Sequence, residues 1–398
     1  MTIDLATSRL QAADPASARS DAAGRTDSVA RSPSSDRNSQ GTGSLPAAAP
    51  KAPRVSVVVP CYNEQRYIRA TLESLLSGTF NPAEMEVLVV DGISKDGTRA
   101  IIEEIARRDP RVRLLDNPCG LTPVALNIGI RAARGEIIMR IDSHSIYPPR
   151  YAEVLVRTLE STGADMVGGC VTFVPAEEGL VCRAIAVGTG CAFGTGARFR
   201  YRRKDGPVDA VQLGCWRREI FERVGLFDER MVRNQDNEHS SRILHAGGRL
   251  HMTAEVTIQY HPRSSLKKLW QQAWVTGMWN AFTQRLHPYT FRWRHFLPAI
   301  FFLGVLACSA LIVAGLFTDY RLALVGAACL LPYALMNLFF SCLVGLRHPG
   351  LFLTPLIAFV LFTYHFTYGY GITKGWLLVA TGAWRKHLGV APKHARVL

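Results

Sequence analysis

Two short apolar runs in this chain end on acid, Val87-Leu88-Val89-Val90-Asp91 and Ile137-Ile138-Met139-Arg140-Ile141-Asp142. Each opens into a polar loop, Gly92-Ile93-Ser94-Lys95-Asp96-Gly97-Thr98 in one case and Ser143-His144 in the other. In an open α/β sheet, strands that finish this way deliver their carboxylates to the crevice beyond the strand ends, where ligands bind. A third acidic cluster, Asn234-Gln235-Asp236-Asn237-Glu238, follows later in the chain. Carboxylates grouped like this suit holding a metal ion, hydrogen-bonding a nucleotide and taking a proton from an attacking hydroxyl.

The elements that must position them alternate. Strand Val55–Pro60, a helix near Tyr67–Ser77, strand Glu86–Asp91 and helix Thr98–Arg108 come first. Strand Val112–Leu115, helix Thr122–Ala133 and strand Glu136–Asp142 continue the pattern. Runs of five or six Val, Ile and Leu residues suit strands buried on both faces, and the alternation predicts right-handed crossovers in a doubly wound core. Later elements are less regular. Strands are expected near Asp165–Phe173 and Val208–Leu213, and helices at Arg217–Val224 and Asn237–Ala246. A dinucleotide fold would carry a glycine fingerprint after the first strand, but Pro60-Cys61-Tyr62-Asn63-Glu64 stands there.

In order and spacing, Val-Ser-Val-Val-Val-Pro-Cys-Tyr-Asn-Glu, the Asp91–Thr98 turn, the Asp142 strand end, Leu213-Gly214-Cys215-Trp216-Arg217-Arg218, Gly225-Leu226-Phe227-Asp228-Glu229 and Gln235-Asp236-Asn237-Glu238 resemble the inverting family 2 glycosyltransferases. The run from Asn117-Pro118 through Leu126-Asn127-Ile128-Gly129 to Gly135-Glu136 is most similar to the succinoglycan-type glucosyltransferases of bacterial exopolysaccharide synthesis. The resemblance covers roughly residues 54–380. It implies a GT-A fold, an α/β nucleotide-sugar-binding mixed sheet flanked by helices and followed by C-terminal transmembrane helices.

An inverting transfer needs one base for the acceptor hydroxyl and positive charge on the departing diphosphate, which a divalent metal can supply. The resemblance assigns the base to Asp236 and nucleotide contacts to Pro60, Tyr62, Glu64, Asp91 and Asn127. It assigns the metal to Asp142, with His144 as a possible second ligand. The family's Asp-x-Asp is here Asp142-Ser143-His144. Imidazole tilts the choice of Mn²⁺ or Mg²⁺ towards manganese. Gln235 stands where the family has an acid, and Glu238 with Arg242 makes an i,i+4 pair that reads as structural. Asp96 reads as the cap of the second helix. Gly188, Gly190, Gly194 and Gly196 before a basic-aromatic run suggest a mobile loop, with Arg198 and Arg200 facing donor or acceptor diphosphate. At the place of the processive synthases' Gln-x-x-Arg-Trp stand Gln272, Val275 and Thr276, leaving Gln272 as an acceptor contact.

Phe296–Phe317 and Leu322–Leu346 are uncharged over 22 and 25 residues, enough to span a bilayer, which takes about 20. Gly350–Ile372 is a third candidate, and Gly375–Gly382 is too short to span alone. The division expected is a disordered tail at 1–53, a catalytic domain at 54–263, an interfacial segment at 264–295, two to four spans within 296–382 and a basic tail at 383–398. The tail lacks a signal peptide's apolar core, and basic residues crowd the approach to the membrane, which places the catalytic domain in the cytosol of a multi-pass inner-membrane protein. The net charge of +14 fits anionic lipid and phosphates, with no nucleic-acid motif beside it. Nine cysteines without a C-x-x-C pair read as free thiols. Together these features predict transfer of a hexose from a UDP-sugar to a lipid-linked (polyprenyl diphosphate) saccharide. The rivals are a processive synthase and an inactive sugar-nucleotide-binding scaffold.

Overall fold

The computed structural model describes residues 52–195, 204–290, 293–347 and 351–388. The expected N-terminal tail and most of the basic C-terminal tail lie outside them. The first half alternates as the apolar runs dictate: β1 (Val55–Cys61), α1 (Ile68–Leu76), β2 (Met85–Asp91), α2 (Thr98–Arg108), β3 (Val112–Asp116), α3 (Thr122–Ala132), β4 (Ile137–Arg140), α4 (Tyr151–Thr162) and β5 (Met166–Phe173). There follow α5 (Leu180–Gly190), β6 (Gly206–Pro207), β7 (Gly214–Arg217), α6 (Glu219–Val224), α7 (Gln235–His245), β8 (Leu250–Tyr260) and α8 (Leu266–Leu286). Three long helices close the described chain: α9 (Leu297–Phe317), α10 (Tyr320–Arg347) and α11 (Thr354–Ala380).

The strands form one mixed sheet in the order β3-β2-β1-β4-β7-β5-β8-β6. The four strands at one end are parallel, while β7 runs antiparallel between β4 and β5. Side chains alternate across the sheet. Val57, Val59, Val87, Val89 and Met139 pack on α1, α2 and α4. Val58, Leu88, Val90 and Ile138 pack on α3, α6 and α7. Gly129 lets α3 approach β1, because a Cβ there would stand 2.3 Å from Val58 Cγ1.

Three expectations change. No strand forms at Val208–Leu213; the segment is irregular, its Val208, Val211 and Leu213 are buried, and the strand falls at β7 instead. Gly188 and Gly190 belong to helix α5 rather than a loop, and Gly188 sits against Ile357, Val360 and Leu361 of α11. The third apolar candidate and the short segment after it are a single 27-residue helix, α11. Close packing explains its glycines: a Cβ on Gly371 would meet Trp274 O at 2.1 Å, and one on Gly277 would meet Tyr368 O at 2.3 Å. The backbones of α8 and α11 therefore touch. Among the described residues two helices, α9 and α10, are long and apolar enough to cross a membrane. Their flanks are bare, with Leu316 73 % and Phe317 85 % exposed. All nine cysteines are free.

Candidate active site

Beyond the strand ends, two loops are stitched together. Asn63 takes a left-handed φ of 54°, its amide donates to Ser94 Oγ at 2.8 Å, and its Oδ1 accepts from Lys95 N at 2.8 Å. Ile93 is also left-handed, at φ 60°, an uncommon state for a β-branched residue. Asp91, fully buried, accepts from Ser94 N at 2.9 Å and from Arg99 Nη1 at 2.9 Å, and Arg99 also reaches Asp116. Its carboxylate is thus held by the protein at the base of the loop. Half-buried Tyr62 lies over Gly92, where a Cβ would come within 2.9 Å of its ring. Asp96 accepts from Thr98 N at 3.1 Å, the capping role its position suggested.

The loop after β4 carries the other acid. Asp142 N donates to Tyr147 Oη at 2.8 Å, and Tyr147 is buried. His144 Nδ1 lies 3.3 Å from Glu64 Oε1, so a residue expected at the metal faces one expected at the ribose. Burial pulls the His144 imidazole down, but Glu64 and the Asp142 charge outweigh it and raise its affinity for a proton.

Arg140, the last residue of β4, had no role in the sequence reading, yet it organises the site. It shares the sheet face of Ile138, which looks towards α7, and is only 4 % exposed. Nη2 donates to Asp142 Oδ1 at 3.1 Å, while Nη1 donates to Asp236 Oδ1 on the first turn of α7. One guanidinium therefore brings together the carboxylates expected to hold the metal and to act as base. Burial raises the Asp236 carboxyl and Arg140 lowers it; with the Asp142 charge nearby, the balance pushes it up to about 6. The trio carries one positive and two negative charges in a desolvated place.

Asn234 caps α7 from a left-handed φ of 64° and donates to Asn280 Oδ1 on α8 at 2.7 Å. Asn280 in turn donates to Tyr368 Oη on α11. Glu238, fully buried, takes both ends of Arg242 at 2.9 and 2.6 Å and accepts from Tyr289 Oη at 2.6 Å, a structural part as its spacing implied.

Asn127 stands apart from the expected nucleotide contacts. Its amide, 2 % exposed, donates to Phe227 O and Glu229 Oε1 and accepts from Phe227 N, so it latches α3 to the loop before α7. Both of its amide hydrogens are spent there. Gln272 is half-buried on α8, and Arg198 and Arg200 lie outside the described residues. Among the described residues no group of three or more His, Cys, Asp or Glu side chains gathers as a metal cage. A two-ligand set, Asp142 and His144, fits an ion that completes its shell with substrate phosphates rather than a closed protein site.

Comparison with known proteins gives the family and the fold. The sequence model described as Glycosyl transferase family 2 matches residues 56–225. The chain is 34 % identical to the succinoglycan biosynthesis protein ExoA of Rhizobium meliloti (strain 1021), over 56 % of this chain and 67 % of that protein. It is 23 % identical to a dolichyl N-acetyl-alpha-D-glucosaminyl phosphate 3-beta-D-2,3-diacetamido-2,3-dideoxy-beta-D-glucuronosyltransferase of Methanococcus voltae, over 81 % of this chain and 96 % of that one. A mannosyltransferase of Pyrobaculum calidifontis, solved with GDP-Man and Mn²⁺, superposes with a TM-score of 0.51 at 20 % identity, covering 82 % of this chain and 87 % of that one. The fold is GT-A, and the chain belongs to glycosyl transferase family 2.

Proposed function

We propose that the protein is a membrane-bound, metal-dependent, inverting hexosyltransferase that moves a sugar from a UDP-sugar to a lipid-linked saccharide during exopolysaccharide assembly. The observation that carries this reading is the Asp142–Arg140–Asp236 trio at the carboxyl end of β4. An acid on a strand end and an acid on a helix first turn, 94 positions apart in sequence, share one buried cation at the carboxyl end of the sheet, where ligands of open α/β folds bind. Asp236 takes the proton of the acceptor hydroxyl as that oxygen attacks the anomeric carbon; the bond to the diphosphate breaks on the opposite face and the configuration inverts. Asp142 and His144 would hold the ion, which when bound supplies positive charge to the departing diphosphate. Tyr62 and Glu64 line the nucleotide side, and Asp91 braces the loop behind them through Ser94 and Arg99. The relatives named above for succinoglycan and for a dolichyl-phosphate sugar favour a lipid-linked acceptor. The bare apolar flanks of α9 and α10 favour the membrane as its place.

The test is a donor screen with membranes that contain the protein, read by the nucleoside diphosphate released and by mass spectrometry of the extracted lipid. UDP release with a single hexose increment supports the reading. GDP release would change the donor, and a ladder of increments would make the enzyme a processive synthase. No release with any donor would leave an inactive scaffold.

A further inference from the structure

The role of Arg140 goes further than holding two acids. In this structure its guanidinium spends one arm on Asp142 and the other on Asp236, while its Nε is buried without a hydrogen-bond partner. That is an unsettled arrangement for a buried cation, because a guanidinium matches a single carboxylate best when two of its N–H groups meet both oxygens. Arg242 shows the settled form a few residues away, gripping Glu238 through Nε and Nη2. A divalent ion on Asp142 would stand within a few ångströms of the Arg140 arm that now occupies that carboxylate, and the two positive charges repel.

We propose that Arg140 is a positioning residue that couples occupancy of the metal position to placement of the base. Without metal it is shared between Asp142 and Asp236. With a divalent cation on Asp142 it gives up that carboxylate and closes on Asp236 alone. The carboxylate of Asp236 is then fixed only once the donor's counter-ion has arrived. This guards the chain against deprotonating an acceptor, or water, at an empty donor site. The inference rests on the metal reading of Asp142 set out above.

Two opposite changes in one variant test it. In Arg140→Met the competing charge is gone, so Mn²⁺ alone, titrated into the full-length protein in detergent and followed by the loss of free-ion EPR signal, binds about tenfold more tightly. Transfer by the same variant falls about 10²-fold, the scale of a misplaced catalytic group, while KM for the UDP-sugar stays near wild type. Arg140→Gln, which keeps a shorter, uncharged hydrogen-bonding end, reads the same two quantities should the Met variant fold poorly. A merely structural arginine predicts weaker metal binding and weaker UDP binding together. Folded variants with Mn²⁺ affinity unchanged or reduced, or with wild-type transfer, overturn the role of Arg140. Wild-type protein that takes up no Mn²⁺ overturns the metal reading itself, and with it the coupling.

Discussion

At Asp236 burial and Arg140 pull in opposite directions, and the outcome decides how the reaction responds to pH. A general base works ionised, and without metal this carboxyl is pushed up to about 6. The transfer rate falls about tenfold per pH unit below the pKa of this carboxyl, and a cation on Asp142 with Arg140 closed on Asp236 would move that limb below the metal-free value. A pH–rate profile of the metal-loaded enzyme with no acid limb would count against the assignment. Asp236→Asn removes the base and should slow transfer by about 10²–10⁴ while UDP-sugar still binds; near-wild-type turnover would sink the role. The same shift has a stability side. A carboxyl raised above its ordinary 3.8 makes the ionised form the less favoured one in the fold, so its contribution to stability declines as pH rises from about 4 through 6. Asp142, His144 and Asp236 could be proposed from the sequence because each sits in a recognisable run. Arg140 was not, since a single charge inside an apolar strand reads as noise until its partner, 96 residues away, is folded against it.

Helix α7 is tied down around its first turn by elements that follow β8 in sequence. Its front end is held by the Asn234–Asn280–Tyr368 chain from α8 and α11. Its flank is held by Tyr289 and His287 in the turn after α8, where His287 Nε2 also meets Asp228 Oδ2 at 2.8 Å. Burial pushes the Asp228 carboxyl up, but His287 and Arg230 outweigh it and hold it well below the usual range. That pairing stabilises the fold above about pH 4 and is lost as pH falls through the depressed value. Tyr289→Phe leaves buried Glu238 short of a donor and should cost about 1–3 kcal/mol, seen as a lower denaturant midpoint. An unchanged midpoint would mean that Arg242 alone satisfies Glu238. The first seven elements could be read from the chain because apolar strand runs alternate with helical stretches at even spacing. β7 could not, since Gly214-Cys215-Trp216-Arg217 sets only two apolar residues between a glycine and an arginine, and β6 is two residues long. The full length of α11 was hidden too: the apolar pattern ends the third span at Ile372 and starts a separate segment at Gly375, whereas Gly369, Gly371 and Gly375 are the points where neighbouring helices press against one continuous helix.

The molecule as a whole is a GT-A domain followed by the closely packed helices α8 and α11 and the apolar hairpin α9–α10. The 21 residues of α9 reach about 32 Å, matching a hydrocarbon core of roughly 30 Å. Membranes washed with alkaline carbonate should therefore retain the full-length chain, and recovery in the wash would remove the spanning role of the hairpin. Between the two helices stand only Thr318 and Asp319. In a bilayer, a turn that short emerges at the far face as little more than a pair of side chains, and the chain comes straight back. To a protease, an antibody or a partner protein approaching from that side, the enzyme would be almost invisible. A tag meant to report on it from there would have to be built into the turn itself.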